Sequence, residues 1–149
     1  MDRRTMFGLM GAGAVGMVAM PGAGAVAAAP AADDIHEECL KACSDCAKAC
    51  EMAVNHCLKE VGMGKKEHAK PLRYVMDCAG FCALSAKNIA SHSPMMALSC
   101  ESCGEACKET MEQVAAFDSP EMKAVAAELK RCEASCRKMV AAMGHKHSH

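Results

Sequence analysis

The chain has 149 residues and a formal net charge of −1, with no Trp, one Tyr and three Phe. That balance gives no basic face for nucleic acid and almost no rings to stack on bases. It does have twelve cysteines, far above ordinary usage, so Cys must join Ala, Leu, Val and Met in filling the core.

The first 32 residues read as an export leader. Arg3 and Arg4 open an otherwise Gly- and Ala-rich stretch, with Phe7 and Leu9 close behind and small residues around Ala25 to Ala32 where a signal peptidase can cut. The paired arginines resemble a twin-arginine signal, which is an address and not an anchor. An ordinary signal peptide or a membrane span is the alternative. A span needs about 20 strongly apolar residues, and this run is diluted by Gly and broken at Pro21. The expectation is therefore a periplasmic protein without a stable membrane anchor. Removing the leader takes away two arginines and one aspartate, which leaves a charge of −2.

The rest, residues 33–144, divides at Gly and Pro into four helical segments. Asp33 and Asp34 suit a helix start, and the pattern runs to Val61 before Gly62 and Gly64. Pro71 opens a second helix running to about Ser91. Ser93-Pro94 then reads as a cap with proline in the first turn of a third, which ends near Phe117. Ser119-Pro120-Glu121 repeats the device for a fourth, which stops at Gly144, and HKHSH at 145–149 is a solvated, His-rich tail.

Each helix carries one inward stripe at three–four spacing. The first has Ile35, Cys39, Cys43, Cys46, Cys50, Cys57 and Val61; the second has Val75, Cys78, Cys82, Ser85 and Ile89. The third has Met96, Cys100, Cys103, Cys107, Met111 and Val114; the fourth has Val125, Leu129, Cys132, Cys136, Met139 and Met143. Helices of this length joined by short turns predict an all-α, antiparallel up-down-up-down four-helix bundle with cysteines at its centre. At about 1.5 Å per residue, Cys39 and Cys100 lie near the mouth where the first helix begins. Cys43, Cys103 and Cys136 come next, then Cys46, Cys82, Cys107 and Cys132, then Cys50 and Cys78. Cys57 stands apart near the other end, with no partner at its height.

An exported protein with an even number of cysteines invites a disulfide reading. Cysteines four apart on one helix face have Cβ atoms about 6 Å apart, whereas a disulfide wants about 3.8 Å. A stapled scaffold or a thiol-redox protein is thus the second choice, the latter also needing an exposed low-pKa cysteine. Structural zinc and iron–sulfur clusters each take four cysteines, usually from knuckles or looping chain. Soft thiolates also select Cu(I), which accepts two sulfurs one helical turn apart or facing each other across a bundle. C-x3-C pairs of that kind occur at Cys39/Cys43, Cys46/Cys50, Cys78/Cys82, Cys103/Cys107 and Cys132/Cys136. A monovalent ion that displaces one proton per thiol leaves the interior nearly neutral; a divalent ion at the same loading does not.

The twin-arginine-like leader, the cysteine stripes and the C-x3-C pairs together resemble the bacterial copper storage proteins, specifically the exported branch of methane-oxidising bacteria. The resemblance covers residues 33–144. It implies a four-helix bundle holding many Cu(I) ions on inward cysteines, association as a homotetramer, and a copper reserve for a membrane methane monooxygenase or another acceptor such as a copper chaperone. It also implies a ligand role for all twelve cysteines. Detoxification by sequestration would use the same core.

His36, His92, Met95, Met96, Met139 and Met143 gather at the first mouth. Methionine ordinarily fills gaps and histidine is ordinarily solvated, but His36, Met139 and Met143 are candidate ligands that pass Cu(I) inward. The opposite end, with His56, Met63, His68, Met76, Met111 and Met122, is a rival mouth. No nucleophile–base arrangement or phosphate loop appears, so the sequence reads as a non-enzyme.

Overall fold

The structure is a computed structural model and describes residues 31–144. The leader expected at 1–32, apart from Ala31 and Ala32, and the tail at 145–149 lie outside the described residues. Every regular element among the described residues is helical: α1 Ala32–Gly62, a 3-10 turn Lys66–His68, α2 Ala69–Ala90, α3 Met96–Val114 and α4 Pro120–Gly144. Each long helix packs on two neighbours in the cyclic order α1–α2–α3–α4 and back to α1, the ring of an antiparallel four-helix bundle. None of the described helices is long and apolar enough to cross a membrane.

Local chemistry sets the ends. Asp33 and Asp34 sit in the first turn of α1, where carboxylates favour the helix dipole, and the Ala31 N–H donates to Asp34 Oδ2 at 3.3 Å. Gly64, at φ +89°, takes the left-handed conformation that turns the chain after α1. Pro71 lies in the first turn of α2, where a missing N–H costs nothing.

The third helix departs from the sequence expectation at both ends. It begins at Met96, not at Pro94, because Ser93 forms a tight turn: its hydroxyl accepts the Met95 N–H at 3.1 Å and its carbonyl accepts the Met96 N–H at 3.1 Å. It ends at Val114, three residues short of Phe117, whose N–H closes a turn on the Val114 carbonyl. Its inward position near the C-terminus is Thr110 and not Met111, which is only half-buried. Thr110 donates to the Tyr74 carbonyl at 3.3 Å, and Ser85 donates to the Ser99 carbonyl at 2.8 Å. These buried hydroxyls are satisfied across the α2–α3 seam, so they cost little.

The core has two compositions. Between the first mouth and the middle it is almost entirely cysteine. Toward the α1–α2 turn it is Ala53, Val75, Val114, Met122, Val125 and Leu129. Above the thiols, Ile35, Ile89, Met96 and Met139 form a lid of hydrocarbon and thioether at the first mouth. Arg131 joins α4 to α1 through Asp45 at 2.6 Å, and Lys138 reaches Glu38 at 2.9 Å. These pairs are exposed and set register more than stability.

Candidate metal centre

All twelve cysteines are buried and carry free thiols. Each is 0% exposed, the outcome that the three–four spacing predicted. Nearest sulfurs from different helices lie at van der Waals contact: Cys43–Cys136 3.6 Å, Cys103–Cys82 3.6 Å, Cys78–Cys107 3.7 Å and Cys103–Cys132 3.7 Å. No sulfur pair approaches the bonded distance of about 2.0 Å.

The thiols form overlapping groups in which all sulfurs lie within 4.8 Å of one another. Cys39, Cys100 and Cys136 are nearest the first mouth. Cys43, Cys103, Cys132 and Cys136 come below them, then Cys82, Cys103, Cys107 and Cys132, then Cys46, Cys78, Cys82 and Cys107. Cys50 follows, against Cys46 and Cys78. The order of heights estimated from residue count holds, but the layers overlap, since Cys82, Cys103, Cys107 and Cys136 each belong to two neighbouring groups. Cys132 is shared in the same way, and Cys78 joins Cys46, Cys82 and Cys107 instead of lying a layer deeper. Because groups share members, they make one continuous column and not a set of separate four-ligand cages.

The packing of this column already has the spacing of metal coordination. With metal–sulfur bonds of about 2.3 Å, two sulfurs held tetrahedrally on one ion lie about 3.8 Å apart, and two held linearly about 4.6 Å. The thiols sit at 3.6–4.0 Å. That spacing is close to what sulfurs sharing one soft ion need.

Proton chemistry in the column is shared. The Cys107 thiol is held well above the ordinary range, first by its Cys103 neighbour, then by Cys132, Cys46 and Cys78, and also by burial. Cys46 is drawn below that range, first by its Cys107 neighbour. Cys57 is different: burial pushes it up first, and the Glu60 carboxylate adds to this.

The residues expected at the first mouth are there. Met139 is buried in the core, Met143 packs half-buried against it, and His36 meets His92 edge-on with ring centroids 5.6 Å apart. His36 Nδ1 is buried without a hydrogen-bond partner. His92 has φ 49°, a left-handed conformation uncommon for a non-glycine residue. The expectation that Cys57 has no partner holds for thiols only: Met122 Sδ lies 3.9 Å from its Sγ. Gly104 on α3 was not singled out by spacing. It is buried beside the column, and a Cβ there would meet Cys136 Cβ at 3.6 Å, an ordinary packing contact.

The family profile of the copper storage proteins (Csp) matches residues 32–141. The chain belongs to the copper storage protein family. The uncharacterized cysteine-rich protein YhjQ of Bacillus subtilis strain 168 is 32% identical over 106 residues, covering 70% of this chain and 95% of that protein. A Cu(I)-bound copper storage protein, BsCsp3, superposes with a TM-score of 0.66 at 30% identity, over 71% of this chain and 98% of the other. Apo Csp3 from Bacillus subtilis gives 0.63 at 30% identity, over 70% and 97%. The Nmul_A1745 protein of Nitrosospira multiformis gives 0.66 at 31% identity, over 74% and 98%. The family is one of copper storage, and the bundle has cysteine clusters able to bind metal.

Proposed function

We propose that this protein stores many Cu(I) ions on the thiolates of its cysteine column, as a reserve for a copper enzyme such as a membrane methane monooxygenase. The observation that carries the reading is the sharing of members between neighbouring thiol groups. A shared thiolate bridges two ions, and bridging throughout brings capacity toward one copper per cysteine, on the order of a dozen. Each Cu(I) displaces one thiol proton and leaves the buried interior nearly neutral. Divalent ions packed at that density would leave a large buried positive charge, which a low-dielectric core does not support. BsCsp3, with its Cu(I)-bound structure, supports the same choice of ion.

The finer parts of this reading follow the same chemistry. Copper enters at the first mouth, where the unpartnered His36 nitrogen and the thioethers of Met139 and Met143 stand above Cys39, Cys100 and Cys136. The leader exports the chain by the twin-arginine route to the periplasm. The paired arginines and the start of the family match at residue 32 support this. Exposed Phe81, Leu84 and Leu98 on α2 and α3 are the apolar surface that self-association as a homotetramer would cover.

The test is an anaerobic Cu(I) titration of the reduced mature chain against a chromophoric competitor, with thiols counted beforehand. The expected result is uptake of about one copper per thiol before the competitor colours. Uptake of one or two coppers, or a thiol count near zero without reductant, would overturn storage in favour of a disulfide scaffold. Replacing Arg3 and Arg4 by Lys should retain the protein in the cytoplasm by cell fractionation; unchanged export would remove the twin-arginine route.

A further inference from the structure

The aliphatic end of the bundle holds one sulfur pair outside the column. Cys57, the last thiol of α1, and Met122, in the first turn of α4, are both 0% exposed. Their sulfurs are 3.9 Å apart, the separation that neighbouring thiols keep inside the column. Cys57 belongs to none of the overlapping thiol groups. A core methionine is ordinarily a gap-filler, so contact with one cysteine would not make a site unaided.

A second observation marks the same end. His68, in the turn between α1 and α2, has a side chain only 8% exposed, and its Nδ1 is buried without a hydrogen-bond partner. The ring lies 5.5 Å from that of His56, the residue before Cys57, and 4.5 Å from that of Phe117. A buried polar atom left unanswered is costly to the fold. Among the described residues the other such atom is His36 Nδ1, at the opposite mouth. Each end of the bundle thus combines buried soft sulfur with an unanswered imidazole nitrogen.

We propose that Cys57 and Met122 form a separate one-copper site, a thiolate–thioether pair set apart from the column. The proposal rests on the copper-storage reading and adds a ligand outside the cysteines. On binding, Cu⁺ displaces the Cys57 S–H proton to water and forms a Cu–Sγ bond, while Met122 Sδ donates a lone pair without losing anything. Copper remains monovalent and the site is neutral. A single thiolate with a neutral second donor, unbridged to further copper, gives this site an affinity of its own, so it fills and empties independently of the column.

Met122→Leu keeps the volume and the apolar character of the side chain and removes only the thioether. The reduced chain, Met122→Leu, Cys57→Ser and the double variant are titrated anaerobically with Cu(I) at a fixed competitor concentration. Each variant should hold one copper fewer than the parent, and the double variant no fewer than either single one. In protein labelled with 13C-methyl methionine, the signal absent from Met122→Leu should shift on copper loading. A full copper count in Met122→Leu, or a Met122 signal that loading does not move, would overturn the site and leave Met122 as packing. A parent chain that takes up only one or two coppers would instead defeat the storage reading, which is a separate result from a deficit of one.

Discussion

The two halves of the bundle bury similar helix faces and fill them differently. Near the first mouth the centre is thiol: Cys43, Cys103, Cys132 and Cys136 in one group and Cys46, Cys78, Cys82 and Cys107 in another. Toward the α1–α2 turn the same inward positions carry Val75, Val114, Val125 and Leu129. Leucine and valine bury more hydrocarbon than cysteine, at about 25 cal/mol per Å² of apolar surface, so the aliphatic half contributes more to the metal-free fold. The thiol half gives up part of that burial in exchange for donors. One half mainly holds the fold and the other supplies the sulfur donors.

The largest test of this division is loading itself. An ion bound only by the folded state adds about 2.7 kcal/mol per site at a hundredfold excess over its dissociation constant. Filling the column should therefore raise Tm by more than about 10 °C, read by circular dichroism, and chelation should reverse it. An unchanged Tm would mean that the column does not take the metal.

A matched pair of substitutions separates the halves. Leu129→Ala should cost the metal-free protein about 3 kcal/mol in urea unfolding and leave the copper count unchanged. Cys107→Ala, in the column, should cost about 1 kcal/mol or less and lower the count by one to two, because Cys107 belongs to two groups. If Leu129→Ala loses copper, or Cys107→Ala unfolds the bundle, the halves are not distinct in role.

The pH effect is smaller. Loading must remove protons from thiols such as Cys107, which neighbouring thiols and burial hold above the ordinary range. Protons therefore compete with copper. Affinity should fall with decreasing pH, by about tenfold per unit for each proton displaced, in competition titrations between pH 6 and 8. Affinity that rises on acidification would contradict thiolate ligation.

How much of this was legible depends on what sets each contact. The column was readable because cysteines mark every inward position over several turns of each helix, so periodicity alone fixes face and approximate height. Helix ends were less so: the Ser93 turn that delays α3 to Met96 depends on hydroxyl and carbonyl geometry, and sequence gave only the Ser-Pro pair. Thr110 displaced Met111 from the inward position because its hydroxyl finds the Tyr74 carbonyl, a partner 36 residues away. The Cys57–Met122 contact was invisible for a related reason. It joins residues 65 apart, and in a chain with fourteen methionines no spacing distinguishes that one.

The most direct measurement is anomalous diffraction at the copper edge from crystals of the loaded protein. The account predicts copper confined to the span from Cys39 and Cys100 down to Cys50 and Cys78, with one further ion between Cys57 and Met122 and none among Val75, Val114 and Leu129. Copper located mainly on surface histidines or carboxylates, with the column free of it, would contradict the claim that the thiols are a store.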